Sequence, residues 1–406
     1  MKKLKIKHII FILILIIIVL IIVKTIHWNY KINHSKKIVK LKTNEIEVYT
    51  DNIRVKDIIK EMNGKLLTNP KIDTNEIGIK KITFKYKTDE GYPVKYKLNV
   101  NIVDSEEPYI TKINSKTIYT DYDKELEKEF FCGDNYDKNP KCVIEGDYDI
   151  KSPGSYNLIY KGEDQSGNIA KTHFTLYVKE RPKVENNSND NNVKEEKNYT
   201  YFKELKEEYT ENKLKFGIDV SHWQEDIDFN KVKKAGVDFV YIRVGRGDGI
   251  GNDYVLDNKF KRNIEGFNKV NIPVGVYFYS NANSINDAKK EAKWIIKQIK
   301  KYKVDKEVVF DWENWSSFQD YDLSFHDLIE MNNAFNEVLE KNGYNGMLYA
   351  SKFYLETIFK NPKGNVWLAH YTKNTDYKGN YNVWQLCDNG YVDGINGEVD
   401  LDIMYQ

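Results

Sequence analysis

The stretch VVFDWENW, residues 308–315, decides how the C-terminal half of this chain is interpreted. Val308, Val309 and Phe310 form a short continuous apolar run, which is typical of a strand buried on both faces of a parallel sheet. Asp311 and Glu313 follow two residues apart, so on a strand both side chains would point the same way. The sequence therefore places two carboxyl groups at the C-terminal end of a buried strand.

Similar apolar runs recur through residues 213–406. They are FGIDV (216–220), FVYIRVG (239–245), PVGVYFYS (273–280), MLYAS (347–351), VWLAHY (366–371), NVWQL (382–386) and a last run near 398–404. Between them, residues 284–301 and 324–341 repeat apolar side chains at helical spacing. About eight strands alternating with helices predict an α/β domain, and this length favours a small barrel over a doubly wound sheet.

Acidic residues also end other strands of this predicted barrel. Asp219 closes the first run and Asp400 lies in the last. A single aspartate at such a place is more often a helix N-cap, but the C-terminal strand ends of a barrel converge on its active-site face. Glycoside hydrolysis requires two carboxyl groups in one cleft, a protonated one for the leaving oxygen and an ionised one opposite. The sequence therefore predicts a catalytic cluster, and it leaves retaining and inverting outcomes both open.

Aromatic residues at the strand ends offer flat apolar faces for sugar rings, although some of these positions also suit core packing. The candidates are Trp223, Tyr277, Tyr279, Trp367, Tyr371 and Trp384. The glycine-rich GRGDGIGN (245–252) lacks the residues of a phosphate-binding loop, and zinc-protease and EF-hand motifs are missing. The sequence therefore implies neither a metal nor a cofactor.

Composition narrows the function classes further. The 406 residues contain 62 Lys and Arg against 61 Asp and Glu, a net charge of +1 that argues against a globally basic nucleic-acid-binding protein. Three cysteines are too few for a disulfide scaffold. Cys132 and Cys142 lie close enough in sequence to pair in an oxidising compartment, which would leave Cys387 as a buried or free thiol.

An apolar segment stands near the N-terminus. Residues 9–23 read IIFILILIIIVLIIV, four lysines precede them, and residues 9–28 reach the roughly 20 residues that a membrane span needs. A cleavable signal peptide is the alternative, but no Ala or Gly occurs before Gly64. We expect residues 1–30 to be a basic cytoplasmic end and an uncleaved transmembrane helix. The rest would then lie outside a bacterial cell membrane as a single-pass surface protein.

The composition and the residue pattern change several times in the middle of the chain. Residues 31–44 are basic and polar, which predicts a stalk. Residues 45–104 and 105–180 each contain alternating runs joined by turn clusters, which predicts two small β-sandwich modules in tandem. Residues 181–212 are rich in Asn, Lys, Glu and Ser and predict a solvated linker with a short helix near 202–210.

The second module resembles bacterial Ig-like surface domains, and the first matches them more loosely. The pattern PGxYxxxY…DxxGN is formed here by Pro153, Gly154, Tyr156, Tyr160, Asp164, Gly167 and Asn168. The resemblance implies a spacer that lifts another domain off the membrane, or a module that binds an unknown partner.

Residues 215–406 resemble the glycoside hydrolase family 25 lysozymes, the N-acetylmuramidases. The shared motifs, in order, are GIDVSHWQ, Asp257-x-x-Phe260-x-x-Asn263, PVGVYFYS, DWE, VWLAHY, VWQL and a closing GxVDLD. The resemblance implies a modified β/α barrel whose substrate is peptidoglycan, cut at the β-1,4 bond after N-acetylmuramic acid.

The same resemblance implies roles for individual residues. Glu313 would be the general acid, and Asp311 would orient the substrate N-acetyl group or stabilise the developing charge. Asp219 and Asp400 would line the cleft. The chain departs from the family pattern at Phe278, where many members have His, and in its last motif, which many members end in V-D-x-N.

Three functions fit these observations. The favoured one is a membrane-anchored muramidase acting on cell-wall peptidoglycan. A chitinase-like hydrolase also uses D-x-E, but Val308 and Val309 interrupt the longer acidic run that it would need. The third is a surface protein that binds glycan without cleaving it.

Overall fold

The computed structural model divides the chain into two compact units, Met1–Ser105 and Glu106–Gln406. It describes residues 2–182, 198–210, 213–251, 253–360 and 362–405. The first unit begins with helix α1 (Lys2–His34). Residues Ile6–His34 of this helix are long and apolar enough to cross a membrane, a test that a signal sequence near the N-terminus also passes.

The rest of the first unit is mainly β. Its elements are β1 (Val39–Leu41), β2 (Glu45–Glu47), helix α2 (Val55–Ile58), β3 (Ile59–Met62), β4 (Gly64–Leu66), β5 (Gly78–Thr88) and β6 (Pro93–Val103). A four-stranded sheet has the order β2-β6-β5-β4, and β1 pairs with β3. The predicted stalk, residues 31–44, needs correction at both ends, because α1 runs to His34 and β1 is already part of a sheet.

The second unit begins with residues 106–182, which include nearly all of the predicted second β module, residues 105–180. Its strands are β7 (Tyr109–Ile110), β8 (Ser115–Tyr119), β9 (Cys132–Gly133), β10 (Lys141–Glu145), β11 (Gly154–Glu163) and β12 (Ile169–Lys179). They form a sheet of order β10-β11-β12-β8 and a separate β7-β9 pair. Cys132 and Cys142 form a disulfide with their Cα atoms 6.5 Å apart, and Cys387 is a free, half-buried thiol. The likeness to Ig-like domains stays a prediction.

The C-terminal part of this unit is a closed sheet. After β13 (Thr200–Tyr201), its strands are β14 (Lys215–Val220), β15 (Phe239–Asp248), β16 (Asp253–Leu256), β17 (Val274–Tyr279), β18 (Val308–Asp311), β19 (Gly346–Ser351), β20 (Asn365–Ala369), β21 (Val383–Tyr391) and β22 (Val399–Met404). β14, β15, β17, β18, β19, β20 and β21 pair in parallel, and β22 is antiparallel to both β21 and β14. These eight strands coincide with the predicted apolar runs, and β22 closes the ring.

Helices pack around this ring. They are α3 (Phe202–Glu208), α4 (Phe229–Ala235), α5 (Phe260–Lys269), α6 (Ile285–Ile299), α7 (Phe325–Glu340) and α8 (Lys352–Thr357). The predicted helices 284–301 and 324–341 are confirmed as α6 and α7, and serines cap both because Ser284 and Ser324 accept backbone N–H bonds. Three 3-10 helices occur in the described chain, at Leu126–Glu129, His222–Gln224 and Trp315–Tyr321.

Two hydrophobic clusters stabilise the ring, one between strands and helices and one inside it. The inner cluster consists of Phe239, Tyr241, Val309, Met347, Trp367, Val383 and Met404, with Tyr277 and Tyr349 packed against it. Because these side chains fill the interior, the polar residues at the strand ends are held at the mouth of the ring.

The predicted linker, residues 181–212, needs correction in its second half. β13 pairs with β21, and Phe202 and Leu205 of α3 are each 2% exposed within the outer cluster. The two side chains share one helix face at i, i+3 spacing, so this short helix buries an apolar edge against the ring. Residues 183–197 and 211–212 of the predicted linker lie outside the described residues.

We expect Leu205→Ala to lower the free energy of unfolding of the C-terminal domain by about 2–5 kcal/mol, the usual cost of truncating a buried leucine. Urea unfolding followed by tryptophan fluorescence would measure it, since six of the seven tryptophans lie after residue 200. Lys203→Ala, at a residue that is exposed on the same helix, is the matched control and should unfold like the wild type. Equal urea midpoints for the two variants would indicate that α3 does not stabilise the C-terminal domain and is part of the linker.

Candidate active site

Strand pairing brings the predicted acidic residues to one mouth of the ring. Asp219 of β14 lies opposite Asp400 of β22, and Asp311 ends β18 between Tyr279 of β17 and Tyr349 of β19. The charges of Asp219 and Glu313 act on Asp311, the charge of Glu313 acts on Asp219, and the charge of Asp219 acts on Asp400. All four predicted carboxyl groups therefore belong to one electrostatic cluster.

Asp311 and Glu313 form the centre of this cluster. β18 ends at Asp311, so Glu313 lies just beyond the strand, but the two carboxyl groups still interact. Asp311 is 4% exposed, and its Oδ1 has no hydrogen-bond partner among the described residues. Burial, reinforced by the Glu313 charge, holds the pKa of Asp311 well above its usual range.

Glu313 is the member of the pair that solvent reaches. Glu313 is exposed to solvent, although it lies deep enough among protein atoms for desolvation to raise its pKa. A bond with Asp311 works in the opposite direction and lowers that pKa. An accessible carboxyl with a raised pKa beside a buried one is suited to donating a proton to a ligand.

Gln385 of β21 orients Asp219. Its Nε2 donates to Asp219 Oδ2 at 2.8 Å, and its Oε1 accepts from the Tyr349 and Tyr371 hydroxyls at 2.8 and 3.1 Å. Burial raises the pKa of Asp219 to about 7, and the bond from Gln385 partly offsets that rise. Gln385 is not among the residues predicted from the sequence, although a polar side chain between two apolar ones in the run NVWQL is a visible signal.

The last strand contributes two carboxyl groups rather than one. Burial, followed by the Asp219 charge, raises the pKa of Asp400 to about 9. Asp402 is fully buried, accepts a bond from Trp367 Nε1 at 2.9 Å, and has a pKa raised by burial and by both neighbouring aspartates. The mouth therefore carries far less negative charge at neutral pH than its number of carboxyl groups would indicate.

The residues on both sides of Glu313 are tied to the loop that follows β17. Trp312 Nε1 donates to the carbonyl of Ala282 at 3.1 Å, and Asn314 Nδ2 donates to the carbonyl of Ser280 at 2.8 Å. The loop at residues 280–282 therefore fixes the backbone that carries Glu313.

Glu291 of α6 supports this loop from beneath. It is 1% exposed and accepts a bond from Ser280 Oγ at 2.6 Å, and burial raises its pKa to about 8. Sequence reasoning missed Glu291, although a glutamate within the apolar stripe of α6 was a visible signal. Its role is to position other residues, since it lies in the core.

Arg243 brings a positive charge to the site. Its Nε donates to Asp257 Oδ2 at 2.9 Å, and its guanidinium also contacts the His222 ring. Asp257 further accepts the His222 backbone N–H at 3.1 Å and has a fully buried side chain. Burial holds the pKa values of Asp311 and Tyr277 well above their usual ranges, and the Arg243 charge works against that rise in both, so this ion pair partly balances the acidic cluster.

The predicted sugar-binding aromatic residues separate into two groups. Trp223 and Tyr371 are 73% and 52% exposed, and Tyr277 and Tyr279 are half-buried. Trp367 and Trp384 are only 1% and 2% exposed and pack in the inner and outer clusters. Neither of these two has surface to offer a sugar ring, so their predicted role is corrected to core packing.

The departure from the family pattern at Phe278 is also explained by strand geometry. Its ring is fully buried and packs against Tyr254 and Trp294, with centroids 5.9 and 5.5 Å away. The side chain therefore faces the helices and does not reach the mouth.

Tyrosines surround Glu313 closely enough for its charge to raise their pKa values, after the larger effect of burial. They are Tyr279, Tyr349, Tyr354 and Tyr371. Tyr349 and Tyr354 were missed from sequence because nothing in MLYAS or in α8 distinguishes them from core aromatics.

The C-terminal domain is similar to known proteins. The family model "Glycosyl hydrolases family 25" matches residues 218–395. An autolytic lysozyme of Clostridium acetobutylicum is 28% identical over 189 residues, which are 46% of this chain and 54% of that protein. The uncharacterized protein YegX of Escherichia coli K12 is 27% identical over 197 residues, 46% of this chain and 68% of that protein.

The matched region thus spans about half the length of the clostridial lysozyme. Among solved structures, a family 25 glycosyl hydrolase from Bacillus anthracis aligns with a TM-score of 0.41 and 24% identity, over 49% of this chain and 92% of that one. Residues 218–395 of this chain are a domain of glycosyl hydrolase family 25.

Proposed function

We propose that the C-terminal domain hydrolyses peptidoglycan at the β-1,4 bond between N-acetylmuramic acid and N-acetylglucosamine. The observation that carries this proposal is the solvent-accessible Glu313, with its raised pKa, beside the buried Asp311. The family match and the clostridial autolytic lysozyme support the choice of substrate.

In the proposed reaction, Glu313 protonates the glycosidic oxygen as the bond between that oxygen and the sugar C1 breaks. Positive charge develops on the sugar ring as that bond breaks, and water then adds at C1 while the proton that it releases passes to a carboxylate of the site. Asp311 orients the N-acetyl group or, in its ionised form, stabilises the positive charge, and Asp219 and Asp400 line the cleft. Gln385 keeps Asp219 in place through its 2.8 Å bond.

Exposed aromatic residues supply the glycan-binding surface in this proposal. Trp223 and Tyr371 have the most accessible rings, and Tyr277 and Tyr279 line the wall near the carboxyl groups. Pyranose rings present apolar faces that stack on such side chains.

We further propose that α1 anchors the protein in the cell membrane, with the basic N-terminus in the cytoplasm and the remainder outside. The length and apolar character of Ile6–His34 and the lysines that precede the apolar run support this orientation. The enzyme would then act on the wall of the cell that carries it.

We expect Glu313→Gln to lower the rate of peptidoglycan hydrolysis by about 10²–10⁴-fold, because the amide cannot donate the proton to the leaving oxygen. The measurement is the release of new reducing ends by the full chain in detergent. Glu340→Gln, at an exposed residue ending α7, is the matched control and should retain full activity. Full activity of Glu313→Gln would show that Glu313 is not the general acid.

Mass spectrometry of the reduced products separates the alternative functions. N-acetylmuramic acid at the new reducing end is the expected result. Cleavage of chitooligosaccharides in preference to peptidoglycan would favour the chitinase-like hydrolase. Tight wall binding by the wild type without any product would favour a glycan-binding protein.

The raised pKa of Asp400 predicts how stability depends on pH. Between the ordinary value of 3.8 and about 9, the unfolded chain releases this proton while the folded chain keeps it, so stability falls as pH rises. Asp400→Asn removes this loss of stability. The urea midpoint of the variant minus that of the wild type should therefore increase from pH 5 to pH 8. Asp393→Asn, at an exposed carboxyl in the same segment, should follow the wild type; equal behaviour of the two variants would contradict the raised pKa of Asp400.

A further inference from the structure

The β module (residues 106–182) packs directly against the family 25 domain through an aromatic contact. The ring of Phe131 lies between four aromatic rings of that domain. Its centroid is 6.1 Å from Trp315, 5.3 Å from Phe318, 6.1 Å from Phe325 and 6.4 Å from Tyr354. The preceding residue, Phe130, faces the opposite way and packs on Tyr160 and Phe174 in the module's own core.

The segment that follows Phe131 continues this contact. We call residues 132–142, closed by the Cys132–Cys142 disulfide, the docking loop. Its Asp134 carbonyl accepts the Phe325 backbone N–H at 2.8 Å, and Lys138 lies 3.2 Å from Asp327. Asn139 donates a hydrogen bond to Asp322, so three positions along the loop contact the other domain.

These contacts fall on the segment that follows the proposed acid. The 3-10 helix Trp315–Tyr321 begins two residues after Glu313, and α7 begins at Phe325. Trp315 in turn stacks on Tyr354 at 3.6 Å and packs edge-on against Trp312, which precedes Glu313. Phe131 therefore supports the chain on the C-terminal side of Glu313, just beyond Asn314, which is bonded to residue 280.

Gly133 shows how close the approach is. A Cβ atom at this position would lie 2.6 Å from a ring carbon of Phe325 and 2.8 Å from one of Phe318. A spacer that only lifts a domain away from a membrane would not require its loop to fit against the active-site segment this closely.

We propose that the β module is a positioning element of the active site, in which Phe131 and the docking loop hold the 3-10 helix Trp315–Tyr321 and thereby the orientation of Glu313. This inference rests on the proposed muramidase function. Displacing a catalytic group by about 1 Å can lower the rate on the order of 10²-fold. A contact outside the cleft that fixes the position of that group therefore affects kcat.

Phe131→Leu is the decisive variant, and Phe130→Leu is its matched control. Both replace one phenyl ring by a smaller apolar side chain in adjacent residues, but only Phe131 contacts the family 25 domain. With soluble peptidoglycan fragments and the full chain in detergent, we expect Phe131→Leu to lower kcat about tenfold with little change in KM. Phe130→Leu should lower the stability of the module and leave kcat close to that of the wild type.

The disulfide provides a second test that leaves the aromatic contact in place. Cys132→Ser with Cys142→Ser opens the docking loop and increases its conformational freedom. We expect kcat to fall in the same direction as for Phe131→Leu. Cys387→Ser, which removes the free thiol, is the control and should leave kcat unchanged.

A readout independent of turnover separates this inference from the proposed function. Carboxyl-carbon NMR titration of labelled glutamates, with Glu313 assigned from Glu313→Gln, would report the pKa of Glu313. We expect Phe131→Leu to move that pKa toward its ordinary value, because a looser 3-10 helix admits water, and Phe130→Leu to leave it unchanged.

An inactive wild type would overturn the muramidase function, and the titration would then decide the positioning role by itself. An active wild type in which Phe131→Leu matches Phe130→Leu in kcat and in the Glu313 pKa would overturn the positioning role alone. A change confined to KM would also overturn it, since orientation of the acid acts on the chemical step.

Discussion

Desolvation of carboxyl groups at the mouth of a closed ring is the constraint on which the rest of this structure depends. The apolar interior keeps Asp311 and Asp402 out of water, and both have pKa values well above the usual range. Burying several ionised carboxylates together would be prohibitively unfavourable, so the site retains protons at neutral pH. Retained protons are what acid catalysis at this mouth would draw on.

The cost of that burial explains the polar network around the mouth. Gln385 bonds to Asp219, Trp367 bonds to Asp402, and Arg243 faces the cluster while paired with Asp257. Glu313 is held differently, through its neighbours in the chain. Residues 280–282, supported by Glu291, hold both of its neighbours, and the segment that contacts Phe131 follows directly after them.

Local sequence patterns predict the strands of the ring. Each apolar run after residue 213 became a strand of the ring, because continuous β-branched and aromatic runs suit strands buried on both faces. Local patterns do not predict burial that depends on partners distant in sequence. Trp367 and Trp384 are predicted as sugar-binding aromatics at strand ends, and Phe202 and Leu205 as part of a linker. Strand pairing and helix packing bury all four side chains.

The sequence by itself determined the alternation of strands and helices, the apolar N-terminal segment, and the placing of Asp219, Asp311, Glu313 and Asp400 near strand ends. These properties depend on side-chain type and on spacing of a few residues, which local chain geometry converts directly into structure. Only the tertiary structure decided which carboxyl groups are buried, that Gln385 and Glu291 support them, and that Phe131 meets Trp315. Those relations join residues separated by tens to hundreds of positions, and they exist only once the ring closes and the β module packs against it.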